Sequence, residues 1–149
     1  MEWAPAEPDD MVELFQYLSE LHKHEITECA NANGVSEEDV RNMVGLWVDK
    51  CGAWTARDKF GRVLCMVSIA PAIPGTENMW LFATRAFFDH TAANMRDLRR
   101  RFDLMVNQTH RRYSTLTFSK HPKAGQWARA LGFNEVREDG SGLRFTRTR

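Results

Sequence analysis

The spacing of apolar residues changes at Gly52, and this change limits the chain to folds that combine helices with strands. Before Gly52, Leu14, Leu18 and Leu21 recur at steps of three or four residues. After it, apolar and β-branched residues form short runs, of which MWLFAT at 79–84 is nearly continuous. The first spacing is typical of one helix face, and the second of strands buried on both sides. The sequence therefore predicts an α/β domain.

Turn and cap residues predict where the elements begin and end. Asp9 or Asp10 is placed to cap the first helix, and Ser36 with Asp39 resembles the capping box of the second. The run from Pro71 to Gly75 is expected to break a strand. The predicted strands are 2–6, 53–57, 62–70, 79–84, 114–118, 134–138 and 143–148, and the predicted helices are 11–30, 37–51, 91–112 and 122–131. The order is β-α-α-β-β-β-α-β-α-β-β, and we expect one domain over 1–149.

The net charge of zero hides two oppositely charged parts. Residues 1–50 carry 12 acidic and 3 basic side chains, whereas residues 51–149 carry 8 acidic and 17 basic ones. Such asymmetry is compatible with an anionic ligand, with attraction between the two parts of one fold, or with pairing of two subunits in a homodimer. The arginines are spread over several predicted elements, which argues against nucleic acid as a partner.

Membrane, export and metal-binding signals are weak in this sequence. No window approaches the ~20 apolar residues that span a bilayer, and the acidic first residues do not resemble an export signal. Three cysteines without a CxxC pair favour reduced thiols in a cytosolic compartment. His24 and Glu28 lie at helical i,i+4 spacing, with His22, Glu25 and Cys29 nearby, but no second cluster completes a ligand set. We therefore expect no membrane segment and no metal.

The stretch WARALGFNEV, from Trp127 to Val136, carries the most specific resemblance. Its helix closes on Gly132-Phe133 and a strand follows, with Gly132 suited to a left-handed cap and Phe133 to the core. Together with the element order over the whole chain, this ending resembles the GNAT acyltransferase superfamily. The resemblance implies an acyl-CoA N-acyltransferase fold, with a mixed, twisted central sheet of about seven strands and four flanking helices.

The stretch from Trp80 through Phe133 also resembles the internal virion protein A family of short-tailed bacteriophages, whose members are small GNAT-like proteins. The shared pattern is an apolar strand WLFAT, an arginine-rich helix RDLRRRFDLM, a strand TLTF and a helix closing at LGF. This resemblance implies a protein of the host cytoplasm or of the virion.

The GNAT resemblance implies an acetyl-CoA site between the fourth and fifth strands. Backbone amides at the end of the fourth strand orient the thioester, which here implies Ala83, Thr84 and Arg85. The start of the next helix holds the pyrophosphate, through its bare amides and its dipole. That segment contains His90, Thr91, Ala92, Ala93 and Asn94 but none of the glycines of the family's loop. Alternatively, Asp89 or Thr91 caps the helix and the loop binds nothing.

The catalytic residues implied by the resemblance are altered as well. The family's general acid, a tyrosine, is replaced by Ala128, and an asparagine that bonds the cofactor's arm is replaced by His121. The candidates that remain are Glu77 as general base and Tyr113 or His121 as acid, although each is equally compatible with a structural or solvated role.

These alterations favour a GNAT-fold protein that acts through a host or virion protein and has a degenerate acetyl-CoA site. The alternative is an active acetyl-CoA-dependent N-acetyltransferase that modifies a host protein or a small amine. A purely structural virion component is a third interpretation.

Overall fold

A computed structural model describes residues 1–71 and 76–147. Its seven strands are β1 (Glu2–Pro5), β2 (Trp54–Arg57), β3 (Val63–Pro71), β4 (Thr76–Ala83), β5 (Arg112–Thr117), β6 (Glu135–Asp139) and β7 (Gly142–Arg147). They form one sheet in the order β1-β2-β3-β4-β5-β7-β6. All neighbouring strands are antiparallel except β4 and β5, which are parallel.

Helices cover both faces of this sheet. They are α1 (Pro8–Gln16), α2 (Glu20–Asn33), α3 (Glu37–Cys51), α4 (Arg85–Asp89), α5 (Thr91–Thr109) and α6 (Pro122–Ala130). Successive side chains of β4 point to opposite faces, so Phe82 packs with α1–α3 while Met79 and Ala83 pack with α5 and α6. Within 1–71 and 76–147, none of the helices is both long and apolar enough to cross a membrane.

The mixed seven-stranded sheet and the adjacent, parallel fourth and fifth strands confirm the predicted fold class. Gly132 follows α6 with φ of +92°, and the Phe133 side chain is buried in the core as expected. Ser36 and Asp39 form the predicted capping box of α3. Residues 72–75 of the predicted strand break, and the predicted strand end at 148, lie outside the described residues.

The prediction of one helix over 11–30 is wrong, because the chain leaves the helical path between α1 and α2. Leu18 forms an antiparallel bridge with Thr84, and Ser19 then caps α2 by accepting the backbone N–H of His22. The first helix also starts earlier, since its N-cap is Glu7, whose backbone N–H is accepted by Asp10. With the additional short α4, the described residues contain six helices instead of the predicted four.

The spacing of Val40, Met43, Val44, Trp47 and Val48 predicts that these residues form a buried stripe of the second predicted helix, and this prediction is partly wrong. Val40 of α3 is buried, but the Met43 side chain is 59% exposed and Leu46 is 65% exposed. Each residue turns the helix by 100°, so Met43 lies to one side of the line through Val40, Val44 and Val48 that packs inward. This leaves apolar side chains of α3 at the surface.

Asp10 joins the acidic first part of the chain to the basic second part. Its carboxylate accepts hydrogen bonds from the Thr55 hydroxyl at 3.0 Å and from the Arg57 guanidinium of β2. Burial alone would raise the pKa of Asp10, but bonds from the Glu7 N–H, Thr55 and Arg57 outweigh it and lower this pKa. The ion pair between Asp10 and Arg57 is therefore one place where the acidic first part and the basic second part of the chain attract each other within one fold.

We predict that Gly132→Ala destabilises the chain more than Gly34→Ala. Both glycines have positive φ, but a Cβ at Gly34 (φ +64°) meets nothing within 4 Å. A Cβ at Gly132 would lie 2.8 Å from the guanidinium carbon of Arg147, which is buried and donates to Leu131 and Asp103. We expect losses of about 1 kcal/mol for Gly34→Ala and about 2–3 kcal/mol for Gly132→Ala in urea unfolding. Equal losses would contradict the steric argument.

Candidate functional site

The sheet opens into a gap between β4 and β5. Their parallel pairing is limited to Thr76↔Arg112, Glu77↔Tyr113 and Asn78↔Ser114. Beyond these pairs β4 continues to Ala83 and β5 continues to Thr117, where β5 pairs only with β7 on its other side. The strands therefore separate, and the resulting cleft encloses about 710 Å³ when its open mouth is included.

The end of β4 is paired with residues of the same chain. The Ser19 N–H donates to the Ala83 carbonyl oxygen at 2.9 Å, and the Arg85 N–H donates to the Tyr17 carbonyl oxygen at 2.9 Å. The Ala83 N–H donates to the Nδ1 atom of His22 at 3.0 Å. The Thr84 N–H donates to the carbonyl oxygen of Leu64 in β3, at 2.9 Å. All three amides predicted to orient a thioester, those of Ala83, Thr84 and Arg85, are thus already bonded.

His22 is buried against the end of this gap. Its Nδ1 atom accepts the Ala83 N–H, so Nδ1 is unprotonated and the neutral ring carries its proton on Nε2. Its ring centroid lies 4.8 Å from the ring of Trp127 and 5.6 Å from that of Phe82. Burial lowers the pKa of His22 to about 4. The side chain is therefore neutral at physiological pH.

Glu25, one turn after His22 on α2, fixes the segment that follows β5. Its carboxylate accepts the Thr117 hydroxyl at 2.6 Å and the Phe118 and Ser119 backbone N–H groups at 2.8 Å each. From the sequence alone, His22 and Glu25 are only members of a weak metal cluster. Their i,i+3 spacing does place them on one helix face, but nothing in the sequence showed that this face would contact β4 and β5.

The segment predicted to bind a pyrophosphate is partly suited to an anion. The N-cap of α5 is His90, and its carbonyl oxygen accepts the Asn94 N–H at 3.0 Å. The backbone N–H groups of Thr91, Ala92 and Ala93 have no partner among residues 1–71 and 76–147. Neither Asp89 nor Thr91 is the cap that the alternative interpretation required. This helix start, with its dipole, could hold a phosphate without a glycine-rich loop.

The three predicted catalytic side chains have structural partners, and His121 lies apart from Glu77 and Tyr113, which are paired across β4 and β5. Glu77 is buried and forms an ion pair with Arg111. The Tyr113 hydroxyl lies 2.7 Å from the Thr109 hydroxyl. His121 caps α6, since its Nδ1 atom accepts the Lys123 N–H at 3.1 Å. Glu77 and Tyr113 lie at the closed end of the gap and His121 in the segment after β5. Their catalytic roles remain predictions.

Trp127 and Trp80 line the gap, and neither indole N–H has a hydrogen-bond partner in the described part of the chain. Leaving a buried N–H unpaired costs about 1–3 kcal/mol. Trp127 precedes Ala128, which stands where the family's acid would be, and its ring also packs near Phe87 at 5.9 Å. The described residues contain no group of three or more His, Cys, Asp or Glu side chains that could hold a metal ion.

Solved structures share this arrangement along nearly the whole chain. An acetyltransferase of the GNAT family from Staphylococcus aureus Mu50 has a TM-score of 0.65 at 11% identity, covering 99% of this chain and 98% of its own. An acetyltransferase from Streptococcus agalactiae 2603 has a TM-score of 0.63 at 15% identity, covering 99% and 97%. The chain has the GNAT fold.

A phosphinothricin acetyltransferase of the GNAT superfamily from Sinorhizobium meliloti, solved in complex with AcCoA, has a TM-score of 0.57 at 13% identity and covers 99% and 87%. No protein-family model and no curated protein sequence matches the chain. At these identities the likeness establishes the fold, and the chemistry has to be argued from the residues of the site.

We predict that His22 makes the stability of the chain depend on pH between about 4 and 6.5. The pKa of His22 is lowered when folded and is ~6.5 when unfolded, so in this window the unfolded state binds more protons. The free energy of unfolding is therefore fully retained above pH 6.5. It falls by about 3 kcal/mol as the pH falls to 4.

The variant that tests this pH dependence is His22→Asn, because the asparagine side-chain oxygen can accept the Ala83 N–H but does not titrate. His110→Asn is the control, because His110 is exposed and has φ of +56°, which asparagine tolerates. Urea unfolding from pH 4 to 8 should show a shallower pH dependence for His22→Asn than for wild type and His110→Asn. The same dependence in all three proteins would refute the assignment.

Proposed function

We propose that this GNAT-fold protein acts by binding a protein partner and that its acetyl-CoA site is degenerate. The observation that carries the proposal is the pairing of Tyr17–Ser19 and His22 with the end of β4. In the GNAT resemblance these amides orient the thioester of the cofactor. Here the Arg85 N–H is bonded to Tyr17 in the connection between α1 and α2, the Ala83 N–H to His22 of α2 and the Thr84 N–H to Leu64 of β3. A cofactor could use these amides only by displacing such partners, the α1–α2 connection among them.

Displacing that connection would be costly. It would break the two backbone hydrogen bonds that Tyr17 and Ser19 form with Arg85 and Ala83, and it would expose Leu18, which is fully buried. Exposing one leucine side chain costs about 1.5–3 kcal/mol, and an unpaired buried polar group costs about 1–3 kcal/mol. These costs together match much of the affinity of a micromolar ligand, about 8 kcal/mol.

Proton transfer is poorly supported by the side chains that line the gap. Of the lining residues within the described part of the chain, only His22 and Glu25 are titratable. His22 uses Nδ1 to hold the Ala83 N–H, and Glu25 uses both oxygens to hold the segment after β5. Ala128 supplies no proton in place of the family's tyrosine. A general acid or base is worth about 10²–10⁴-fold, so its loss favours a role in binding.

The acidic helices α1 and α3 offer a surface for a partner. Val12, Met43 and Leu46 are each more than half exposed, and they lie in the part of the chain that has 12 acidic and 3 basic residues. Apolar anchors with a charged rim are typical of protein interfaces. We infer a partner that presents apolar side chains among lysines or arginines. The likeness to internal virion proteins suggests another virion protein or a host protein in this role.

An active N-acetyltransferase is the second candidate, and one observation favours it. The free amides of Thr91, Ala92 and Ala93 start a helix of 19 residues and could hold a pyrophosphate. In that case the cofactor would enter the gap only after the α1–α2 connection had moved.

Our test of the acetyl-CoA site compares two ligands by calorimetry and thermal unfolding. Acetyl-CoA and 3′-phosphoadenosine 5′-diphosphate share the phosphates, but only acetyl-CoA has the arm that would bond β4. We expect equal affinities, or no binding of either at millimolar concentration, because the β4 amides are occupied. Acetyl-CoA binding more than about tenfold tighter would support the active enzyme, since each added hydrogen bond contributes about 0.5–1.5 kcal/mol.

The partner surface is tested by Met43→Ser combined with Leu46→Ser. We expect this variant to retain less than about a tenth of the partner binding, in a pull-down from infected-cell or host lysate, because two exposed anchors are lost. The matched control is Leu104→Ser, since Leu104 is 51% exposed on the basic helix α5. All variants should unfold at nearly the same temperature. A captured protein that is retained by the double variant, or that carries added acetyl groups, would contradict this role.

A further inference from the structure

One face of β5, β6 and β7 carries polar side chains and points away from α5 and α6. Tyr113 and Phe145 pack in the core beneath these two helices. Side chains alternate along a strand, so their neighbours in β5 and β7 point to the opposite face. The apolar cluster on that opposite face, under α1–α3, includes residues of β3 and β4 but none of the described residues of β5, β6 or β7. Polar side chains therefore occupy this half of the face.

A pocket of about 200 Å³ lies on this polar face, at the end where β4 and β5 are still paired. It is lined by three arginines and three hydroxyl groups, which belong to Arg112, Arg137, Arg144, Thr76, Ser114 and Thr146. Glu135 is the one acidic residue of its described lining. We call this site the basic pocket. It is separate from the gap between β4 and β5, since these residues all lie outside the lining of that gap.

The strand register brings the guanidinium groups of Arg112 and Arg144 to the same level of the sheet. Thr146 of β7 is paired with Ser114 of β5 on one side and with Glu135 of β6 on the other. The Arg144 Nη1 atom donates to the Ser114 hydroxyl oxygen at 3.1 Å. The Arg112 Nη2 atom donates to Glu135 at 3.0 Å. Both guanidinium groups therefore reach the row formed by Ser114, Thr146 and Glu135.

Arg144 is already held in place by its own chain. Its Nε atom donates to Asp139 at 2.6 Å, and its Nη1 atom donates to Asn78 and Ser114 at 3.1 Å each. Its Nη2 atom has no hydrogen-bond partner in the parts of the chain that the structure describes. A fixed guanidinium loses little side-chain entropy when it binds a ligand. Arg144 is therefore a preorganised donor.

Arg137 lies directly opposite Arg144 in the register of β6 and β7. Like charges in this position destabilise a sheet. The two carboxylates nearby are paired with other arginines, Glu135 with Arg112 and Asp139 with Arg144. Arg137 is exposed and forms no ion pair within residues 1–71 and 76–147. An anion bound between Arg137 and Arg144 would remove their repulsion.

The charge of the basic pocket favours a ligand with two negative charges. Three guanidinium groups and one carboxylate leave an excess of two positive charges. Guanidinium groups form paired hydrogen bonds with phosphate and carboxylate oxygens. A phosphate monoester has about two negative charges at pH 7 and three acceptor oxygens. A carboxylate has one charge and two oxygens, so the phosphate group matches the pocket better.

We propose that the basic pocket binds the phosphate group of a phosphate monoester. The Nη2 group of Arg144, the guanidinium of Arg137 and the Thr146 hydroxyl donate to the phosphate oxygens. Arg112 adds positive charge from the side of β5. The basic pocket lies on β5, β6 and β7, whereas the proposed partner surface lies on α1 and α3. The proposal is therefore independent of the proposed function.

The test compares methyl phosphate with dimethyl phosphate by calorimetry at constant ionic strength. The two ligands are similar in shape, but dimethyl phosphate has one negative charge and only two terminal oxygens. We expect methyl phosphate to bind at least about tenfold more tightly, because hydrogen bonds between ionised groups are the strong ones. The proposal is overturned if methyl phosphate does not bind at millimolar concentration, or if dimethyl phosphate binds as well. These measurements use the wild-type chain and need no variant.

Arg137→Gln and Arg100→Gln form a matched pair of variants. Each removes one exposed arginine, but Arg100 lies on α5, on the other side of the sheet. A general effect of net charge would therefore be the same in both. We expect Arg137→Gln to weaken methyl phosphate binding at least about fivefold and Arg100→Gln less than about twofold. Equal losses would show that surface charge alone attracts the ligand and would refute the site.

The phosphate group that binds here belongs to a small phosphorylated molecule or to a phosphorylated side chain of a protein. Both sources present the same oxygens to the basic pocket. A short peptide with one phosphoserine and no other charge distinguishes them. Tighter binding of the peptide than of methyl phosphate would support a protein as the source, and equal or weaker binding would support a small molecule. Either result is compatible with the phosphate site, which the comparison with dimethyl phosphate decides.

Discussion

The parallel ladder between β4 and β5 ends after Asn78 and Ser114, while each strand is held by an antiparallel neighbour on its other side. Strand twist then carries the two halves of the sheet apart. The backbone N–H and C=O groups of β4 and β5 that face the gap have no hydrogen-bond partner on the other strand. Where such groups are buried, they need hydrogen bonds from another part of the protein, from water or from a ligand. The connection between α1 and α2, residue His22 and the cleft all lie along this opening.

Residues of the same chain form hydrogen bonds with the backbone groups at the outer end of the gap between β4 and β5. Tyr17–Ser19 adds a short pairing to the end of β4, and this explains why the helical path is interrupted there. The same arrangement requires a neutral, buried His22, whose pKa burial lowers to about 4. A GNAT fold is thereby retained while the end of β4 is bonded within the chain. Fold and chemistry are separable in such an architecture, because the sheet depends on packing and a reaction depends on a few side chains and backbone groups.

The sheet also separates two surfaces of opposite charge. The acidic residues of 1–50 lie mostly in the α1–α3 layer, and the arginines of α5 lie in the layer beyond the sheet. Asp10 and Arg57 neutralise one another where the parts meet. The acidic layer also exposes Met43 and Leu46, which a helix with a fully used apolar face would bury. Acidic charge and exposed apolar side chains therefore occur in the same layer of helices.

The sequence alone determined the seven strands in their order along the chain, the capping box of Ser36 and Asp39, the left-handed Gly132 and a long helix between β4 and β5. These features depend on periodicity and on turn chemistry, which act over a few residues. Only the tertiary structure decided that the helical run breaks at Leu18 and that His22 bonds Ala83. The latter pair is 61 residues apart. Such contacts depend on the unpaired edge of a strand that is distant in the sequence. The local spacing of residues therefore cannot predict them.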